Sequence, residues 1–384
     1  AIERSEIGLA TPVLLAPDKF KGSLTAAEVA AALSDGIRRV APGVDVRQAP
    51  VADGGDGTVA AALASGFQPV PVTVSGPLGE PVDTAIAVRD RTAVVELAAA
   101  SGLALLPPDR LDPLRASSLG TGQALRAALD AGAVTIVLGG GGSACTDGGA
   151  GLLAALGARL TDAAGRPLPP GGGPLARLES VNLSDLDRRL ADREIVLASD
   201  VDNPLLGPHG AARVYGPQKG AGPEQVAELE RSLERWARAV VAAGGRDAAA
   251  QPGAGAAGGV GFAALSVLGA RMRPGVEVVL ELAGFERLLA GSGLVVVGEG
   301  SLDEQTLRGK GPAGVAARAR AAGIPVVAVV GRCRLSAAQL REAGIADVYA
   351  LVDLEPDPQR CVQQAAPLLG RVGEQLARDW LSGT

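Results

Sequence analysis

The apolar run Val134-Thr-Ile-Val-Leu138 ends in four consecutive glycines, Gly139 to Gly142. After them come Ser143-Ala-Cys-Thr-Asp-Gly-Gly-Ala-Gly151 and a helix-like stretch, Leu152 to Leu160. Glycine gives up more backbone freedom on folding than any other residue, so a mere connection would not need four in succession. A strand, a glycine loop bearing hydroxyls and a helix start can hold an anion. The backbone approaches the ligand closely, and N–H groups point at it. The spacing therefore predicts an α/β chain with a phosphate cradle formed by Gly140, Gly141, Gly142, Ser143, Thr146 and Asp147.

Composition narrows the interior and the partners. Of the 384 residues, 47% are hydrophobic but only 2% aromatic, so the core must be built from Ala, Val, Leu and Ile. A chain this long suggests two domains. The net charge is −6 and the cations are dispersed, which gives neither a basic footprint nor a stacking platform for nucleic acid. Cys145, Cys333 and Cys361 lack CxxC spacing and read as free thiols. His209 is the only histidine, which argues against histidine-rich metal sites and Ser–His–Asp hydrolysis. Ala1 to Thr11 lacks the apolar centre of a signal peptide, and no apolar stretch reaches the roughly 18 residues of a membrane span. A soluble cytoplasmic protein is expected.

The order of elements predicts the architecture. Val13–Ala16 reads as a strand, and Thr25-Ala-Ala-Glu28 has capping-box spacing ahead of an apolar 3.6-residue period. Val44–Val51 reads as the next strand, followed by an alanine-rich helix. Pro69–Val74, Pro81–Val88 and Thr92–Leu97 are short β-branched runs between turns, the pattern of antiparallel hairpins. Strand and helix alternation returns at Leu294–Val297, Pro312–Ala322, Pro325–Val330 and Ile345–Leu351. The expected fold is a Rossmann-like parallel sheet domain formed by residues 1–64 and 290–384. An inserted α/β domain, residues 65–289, carries the hairpins, and the active site is expected in the cleft between the two.

Further loops carry candidate chemistry. Ala52-Asp-Gly-Gly-Asp-Gly-Thr58 ends a strand, and Asp53 and Asp56 there could hold Mg²⁺, which takes one or two carboxylates plus phosphate oxygens. Ser199-Asp-Val-Asp-Asn-Pro204 adds Asp200 as a third metal candidate and Asn203 as a substrate contact. Asp18, Lys19, Lys21 and Ser23 follow the first strand and would bind substrate, with Lys219 as a further cation. Gly298-Glu-Gly-Ser-Leu-Asp303 precedes Arg308 and Lys310, so a carboxylate and two cations stand near one strand end, as phosphoryl transfer requires. The catalytic candidates are Asp303 as the base that orients a hydroxyl, Asp200 as the alternative base, and Lys21, Arg308 and Lys310 as charge stabilisers. Gly253-Ala-Gly-Ala-Ala-Gly258 spells GxGxxG but follows no strand, so it is not a dinucleotide fingerprint.

Six of these stretches, in order, resemble the bacterial type I glycerate kinase family. They are Ala16-Pro-Asp-Lys-Phe-Lys-Gly-Ser-Leu24, Val51-Ala-Asp-Gly-Gly-Asp-Gly-Thr58, Gly141–Gly151, Gly216-Pro-Gln-Lys-Gly-Ala221, Pro252–Gly259 and Gly298–Asp303. Thr146 departs from the asparagine of many members and keeps a hydroxyl. The resemblance implies ATP- and Mg²⁺-dependent phosphorylation of D-glycerate, giving 2-phosphoglycerate. The alternatives are a glycerate 3-kinase and an NAD(P)-dependent hydroxy-acid dehydrogenase.

Overall fold

The computed structural model describes residues 11–304, 306 and 311–381. Its strands are β1 (Val13–Pro17), β2 (Val46–Gln48), β3 (Gln68–Ser75), β4 (Pro81–Arg89), β5 (Thr92–Glu96), β6 (Thr135–Gly139), β7 (Arg159–Thr161), β8 (Ser180–Asn182), β9 (Glu194–Ala198), β10 (Arg271–Arg273), β11 (Leu294–Leu302), β12 (Val326–Cys333) and β13 (Ile345–Ala350). The chain divides into two compact units, Ala1–Ala52 with Ala60–Ser65 and Val276–Thr384, and Asp53–Val59 with Gly66–Gly275. The fold is mixed α/β, with one wholly parallel sheet and a separate sheet that contains antiparallel pairs.

The first unit is built on a five-stranded sheet of order β13-β12-β11-β1-β2. All its neighbours are parallel. Its strands are nearly continuous apolar runs because both faces are covered. Val13, Leu15, Val296 and Val329 face one cluster, with Leu33 and Ile37 of the helix Ala26–Val40 and Leu369 and Leu376 of the helix Ala365–Trp380. Leu14, Ala16, Val297 and Val330 face the other, with Leu280, Phe285 and Val315. Each fully buried Val, Leu or Phe contributes ~1.5–3 kcal/mol to this packing. The first helix starts as its sequence requires: Thr25 caps it, and Glu28 reaches back to the Thr25 N–H at 2.8 Å. Strand order reverses between β1 and β11, and ligands of open parallel sheets bind beyond the carboxyl ends at such a point.

The second unit holds a six-stranded sheet of order β10-β9-β6-β5-β4-β3. β3, β4 and β5 pair antiparallel, as the hairpin pattern predicts, and β5, β6, β9 and β10 pair parallel. Register aligns Glu96 with Gly139 and Gly139 with Ala198, so the carboxyl ends of β5, β6 and β9 finish at one level. The helix expected over Leu152–Leu160 covers only Ala150–Ala155; the chain turns at Gly157 and returns as β7, paired with β8. Here the tertiary pairing of Leu160 with Val181 wins over a helical apolar period.

Candidate active site

In the second unit, the aligned ends of β5, β6 and β9 receive the Asp53–Gly57 loop. Glu96, buried at the end of β5, accepts the Gly57 N–H at 3.1 Å and the Val59 N–H at 3.0 Å through Oε2. Thr58, also buried, donates its hydroxyl to Gly55 O at 2.6 Å, and Asp53 Oδ1 accepts the Gly55 N–H at 3.2 Å. The loop then lies directly on the glycine run. A methyl at Gly141 would stand 2.5 Å from Gly55 Cα, so part of the run exists to let two backbones touch. Beyond β9, Asp200 is exposed and its Oδ1 accepts the Gly275 N–H at 2.9 Å. Asp53, Asp56, Asp200 and the exposed Gly142 thus gather at one sheet edge.

In the first unit, the loop Asp18–Ser23 leaves β1 at the strand-order reversal. Asp18 N–H donates to Gly298 O of β11 at 2.8 Å, and Asp18 Oδ1 accepts the Lys19 N–H at 2.6 Å. The Ser23 hydroxyl donates to Val362 O at 2.8 Å, which anchors the loop. Lys21 is exposed. Across the reversal, β11 ends at Leu302 and Asp303 follows, half-buried. Its turn is closed by Asp303 N–H to Thr306 Oγ1 at 3.3 Å and Thr306 N–H to Asp303 O at 3.1 Å. A methyl at Gly311, the start of the helix Gly311–Ala321, would sit 3.5 Å from Asp18 Oδ2. Arg308 and Lys310 lie outside the described residues.

The sequence matches the glycerate kinase family over residues 13–381. The chain belongs to that family. It is 42% identical to the glycerate kinase of Bacillus subtilis (strain 168), over 95% of this chain and 96% of the relative. It is also 42% identical to the glycerate 2-kinase of Escherichia coli (strain K12), over 88% of this chain and 90% of the relative. A crystal structure of a glycerate kinase 2 candidate from Salmonella typhimurium LT2 is similar, at TM-score 0.83 and 40% identity over 96% of this chain and 98% of that one. The chain is therefore a kinase, with ATP as the substrate that such an enzyme uses.

Not every loop residue of this kinase faces outward. Past Gly142 the glycine loop is buried. Asp147 is fully enclosed: Oδ2 accepts from Ser117 Oγ at 3.1 Å, Ser118 N at 2.8 Å, Ser118 Oγ at 3.0 Å and Gly151 N at 3.2 Å. Its Oδ1 accepts the Gly149 N–H at 3.1 Å. Thr146 is equally enclosed, and among the described residues its hydroxyl meets no hydrogen-bond partner. Lys219, 2% exposed, donates to Ser143 Oγ at 2.8 Å and to Cys145 O at 2.5 Å. Asn203 is tied up locally, donating to His209 O at 2.8 Å and accepting from Tyr215 Oη at 2.7 Å. Gly258 packs against the same loop: a methyl there would run into the Cys145 carbonyl, at a backbone φ of +68°. The GxGxxG stretch therefore serves close backbone approach. Burial pushes the Cys145 thiol well above its ordinary range, so it packs as a neutral group.

Sequence reasoning missed Glu96, Ser117 and Ser118. Glu96 had a signal, a carboxylate closing an apolar strand, Ala93-Val-Val-Glu96. The serines had none, because their partner Asp147 is distant in sequence. Among the described residues no group of three or more His, Cys, Asp or Glu side chains could by itself hold a metal ion, and no helix is long and apolar enough to cross a membrane.

The buried lysine sets a pH dependence. Desolvation lowers the Lys219 pKa below its ordinary 10.5, against the nearby Asp147 charge, which raises it. Below the lowered value both folded and unfolded chains carry the proton, and the cost of burying the charge is felt in full. Between the lowered value and 10.5 the unfolded chain binds more protons, so stability from this group rises with pH. Denaturant titrations from pH 7 to 10.5 should show wild type gaining stability relative to Lys219→Met across that window. A constant difference would contradict the burial argument.

Proposed function

We propose that this chain transfers the γ-phosphoryl group of ATP to the 2-hydroxyl of D-glycerate, giving ADP and 2-phosphoglycerate. The observation that carries the reading is the gathering of carboxylates and exposed glycine backbone at the shared edge of β5, β6 and β9, in a chain of this family. The name of the Escherichia coli relative supports the choice of hydroxyl.

Roles follow from chemistry. The N–H groups of Gly141 and Gly142 and the hydroxyl of Ser143 would receive nucleotide phosphate oxygens. One or two of Asp53, Asp56 and Asp200 would hold Mg²⁺ together with the phosphate oxygens of the nucleotide. Their oxygen donors suit this hard cation, and a site with few protein carboxylates suits an ion that keeps phosphate and water ligands. When bound, Mg²⁺ supplies neutralising charge on the phosphate oxygens. In the first unit, Lys19 and Lys21 would pair with the glycerate carboxylate and the moving phosphoryl, and Arg308 and Lys310 would add charge beside them. Asp18 would hold the Lys19 backbone in place. Asp303 would accept the proton of the attacking hydroxyl, so that the new O–P bond forms as the bond to the ADP oxygen breaks. Asp147, Thr146, Asn203 and Lys219 would shape the loops from within rather than touch substrate. Work on ATP and a small organic acid agrees with the cytoplasmic location expected from the sequence.

The test is ADP release from ATP and Mg²⁺ with and without D-glycerate. Glycerate-dependent release supports the proposal; release no greater than the glycerate-free blank removes it.

A further inference from the structure

We propose that Lys219 is a positioning residue for the nucleotide: it acts through Ser143, turning that hydroxyl into an oriented donor for a phosphate oxygen. The inference rests on the reading that the glycine loop receives the nucleotide.

Lys219 sits in the short turn Pro217–Lys219, and its ammonium is carried beneath the loop. With 2% of its surface exposed, and Nζ donating to Ser143 Oγ and Cys145 O, it has no path to a ligand of its own. An ammonium can only donate, so in the Lys219–Ser143 bond the hydroxyl oxygen is the acceptor. The Ser143 proton must then point elsewhere. Among the described residues Ser143 donates no side-chain hydrogen bond, and it retains 8% exposure next to the exposed Gly142. That leaves the proton able to turn toward a group arriving from outside. A charged donor on its oxygen polarises the hydroxyl and strengthens what it donates. The ligand class that uses such a donor, beside glycine N–H groups, is an anionic oxygen.

The rest of the loop fixes this geometry. Gly142 O accepts the Leu103 N–H at 2.8 Å, and Ala144 N–H donates to Ser101 O at 2.9 Å, so the backbone on both sides of Ser143 is pinned. The Asp147 carboxylate lies near enough to favour the charged lysine, which burial alone disfavours. A positive charge is thereby presented to the nucleotide through a hydroxyl, with no lysine exposed.

The test uses the full chain with Ser143→Ala, Lys219→Met and the double variant. Melting temperature, kcat, and KM for ATP and for D-glycerate are measured on each. Ser143→Ala should raise KM for ATP about tenfold, the size of a hydrogen bond to a charged group, with KM for D-glycerate within about twofold. Lys219→Met should shift KM for ATP in the same direction, and the double variant should be no worse than the larger single change. Multiplying effects, an unchanged KM for ATP in Ser143→Ala, or a shift confined to D-glycerate overturns the relay. Methionine replaces the buried charge by an apolar chain of similar length but leaves Ser143 Oγ and Cys145 O without their donor, so its melting temperature is expected to fall. Should it not fold, Ser143→Thr decides: restoring the hydroxyl must restore KM for ATP. A wild-type chain that binds ATP yet releases no ADP with D-glycerate removes the kinase reading alone. The relay is then judged from calorimetric ATP affinities of the same variants.

Discussion

Asp303→Asn is expected to lower kcat by about 10²–10⁴-fold while the protein stays folded, the usual loss when a general base is removed. Asparagine keeps the size and the backbone turn, since that turn is made by the Asp303 N–H and C=O with Thr306 and not by the carboxylate. What it loses is the ability to take a proton. The position suits the role. Asp303 follows the last residue of β11, beside β1, at the point where strand order reverses. KM values should move little, because the carboxylate acts on the hydroxyl proton in the transition state rather than on ground-state binding. The check is steady-state kinetics with circular dichroism on the same sample. A kcat within about threefold of wild type would take the role from Asp303 and pass it to Asp200.

Asp147→Ala is expected to act on the fold instead. Alanine strands the N–H groups of Ser118, Gly149 and Gly151 in a fully enclosed place, together with two serine hydroxyls. Each buried donor left without an acceptor costs ~1–3 kcal/mol, and the set is not additive. A loss of roughly 3–5 kcal/mol matches the removal of one partner from a buried charged network. The melting temperature should fall by roughly 4–6 °C. Asp147→Asn retains an acceptor oxygen and should fall less. An Asp147→Ala protein that melts with wild type but binds ATP weakly would mean that the carboxylate faces the ligand, as its place in the glycine loop first suggests.

That contrast shows what could be read from the chain. Local patterns carried far: the Thr25–Glu28 capping box, the alternating runs of β3 to β5 and the apolar runs of β11 to β13 all signal their elements in a few residues. The exposed layer of loops was legible for the same reason. Asp53, Asp56, Lys21 and Gly142 lie in loops that come after strands, and strand ends in such sheets are where ligands gather. The inner layer was not. Asp147 and Lys219 read as ligand-binding groups because charge in a glycine-rich motif usually faces solvent. Their partners, Ser117 and Ser118 for one and Cys145 O for the other, meet them only through tertiary packing. Glu96 belongs to the same class, a side chain whose work is to hold the Gly57 and Val59 N–H groups of a distant loop.

The position of the new phosphate distinguishes the two hydroxyls of D-glycerate. ADP release with D-glycerate is coupled to enolase, with and without phosphoglycerate mutase. Enolase alone is expected to draw the product forward, because 2-phosphoglycerate is its substrate. Flux that appears only when the mutase is present would place the phosphoryl on the 3-hydroxyl and contradict the proposed function.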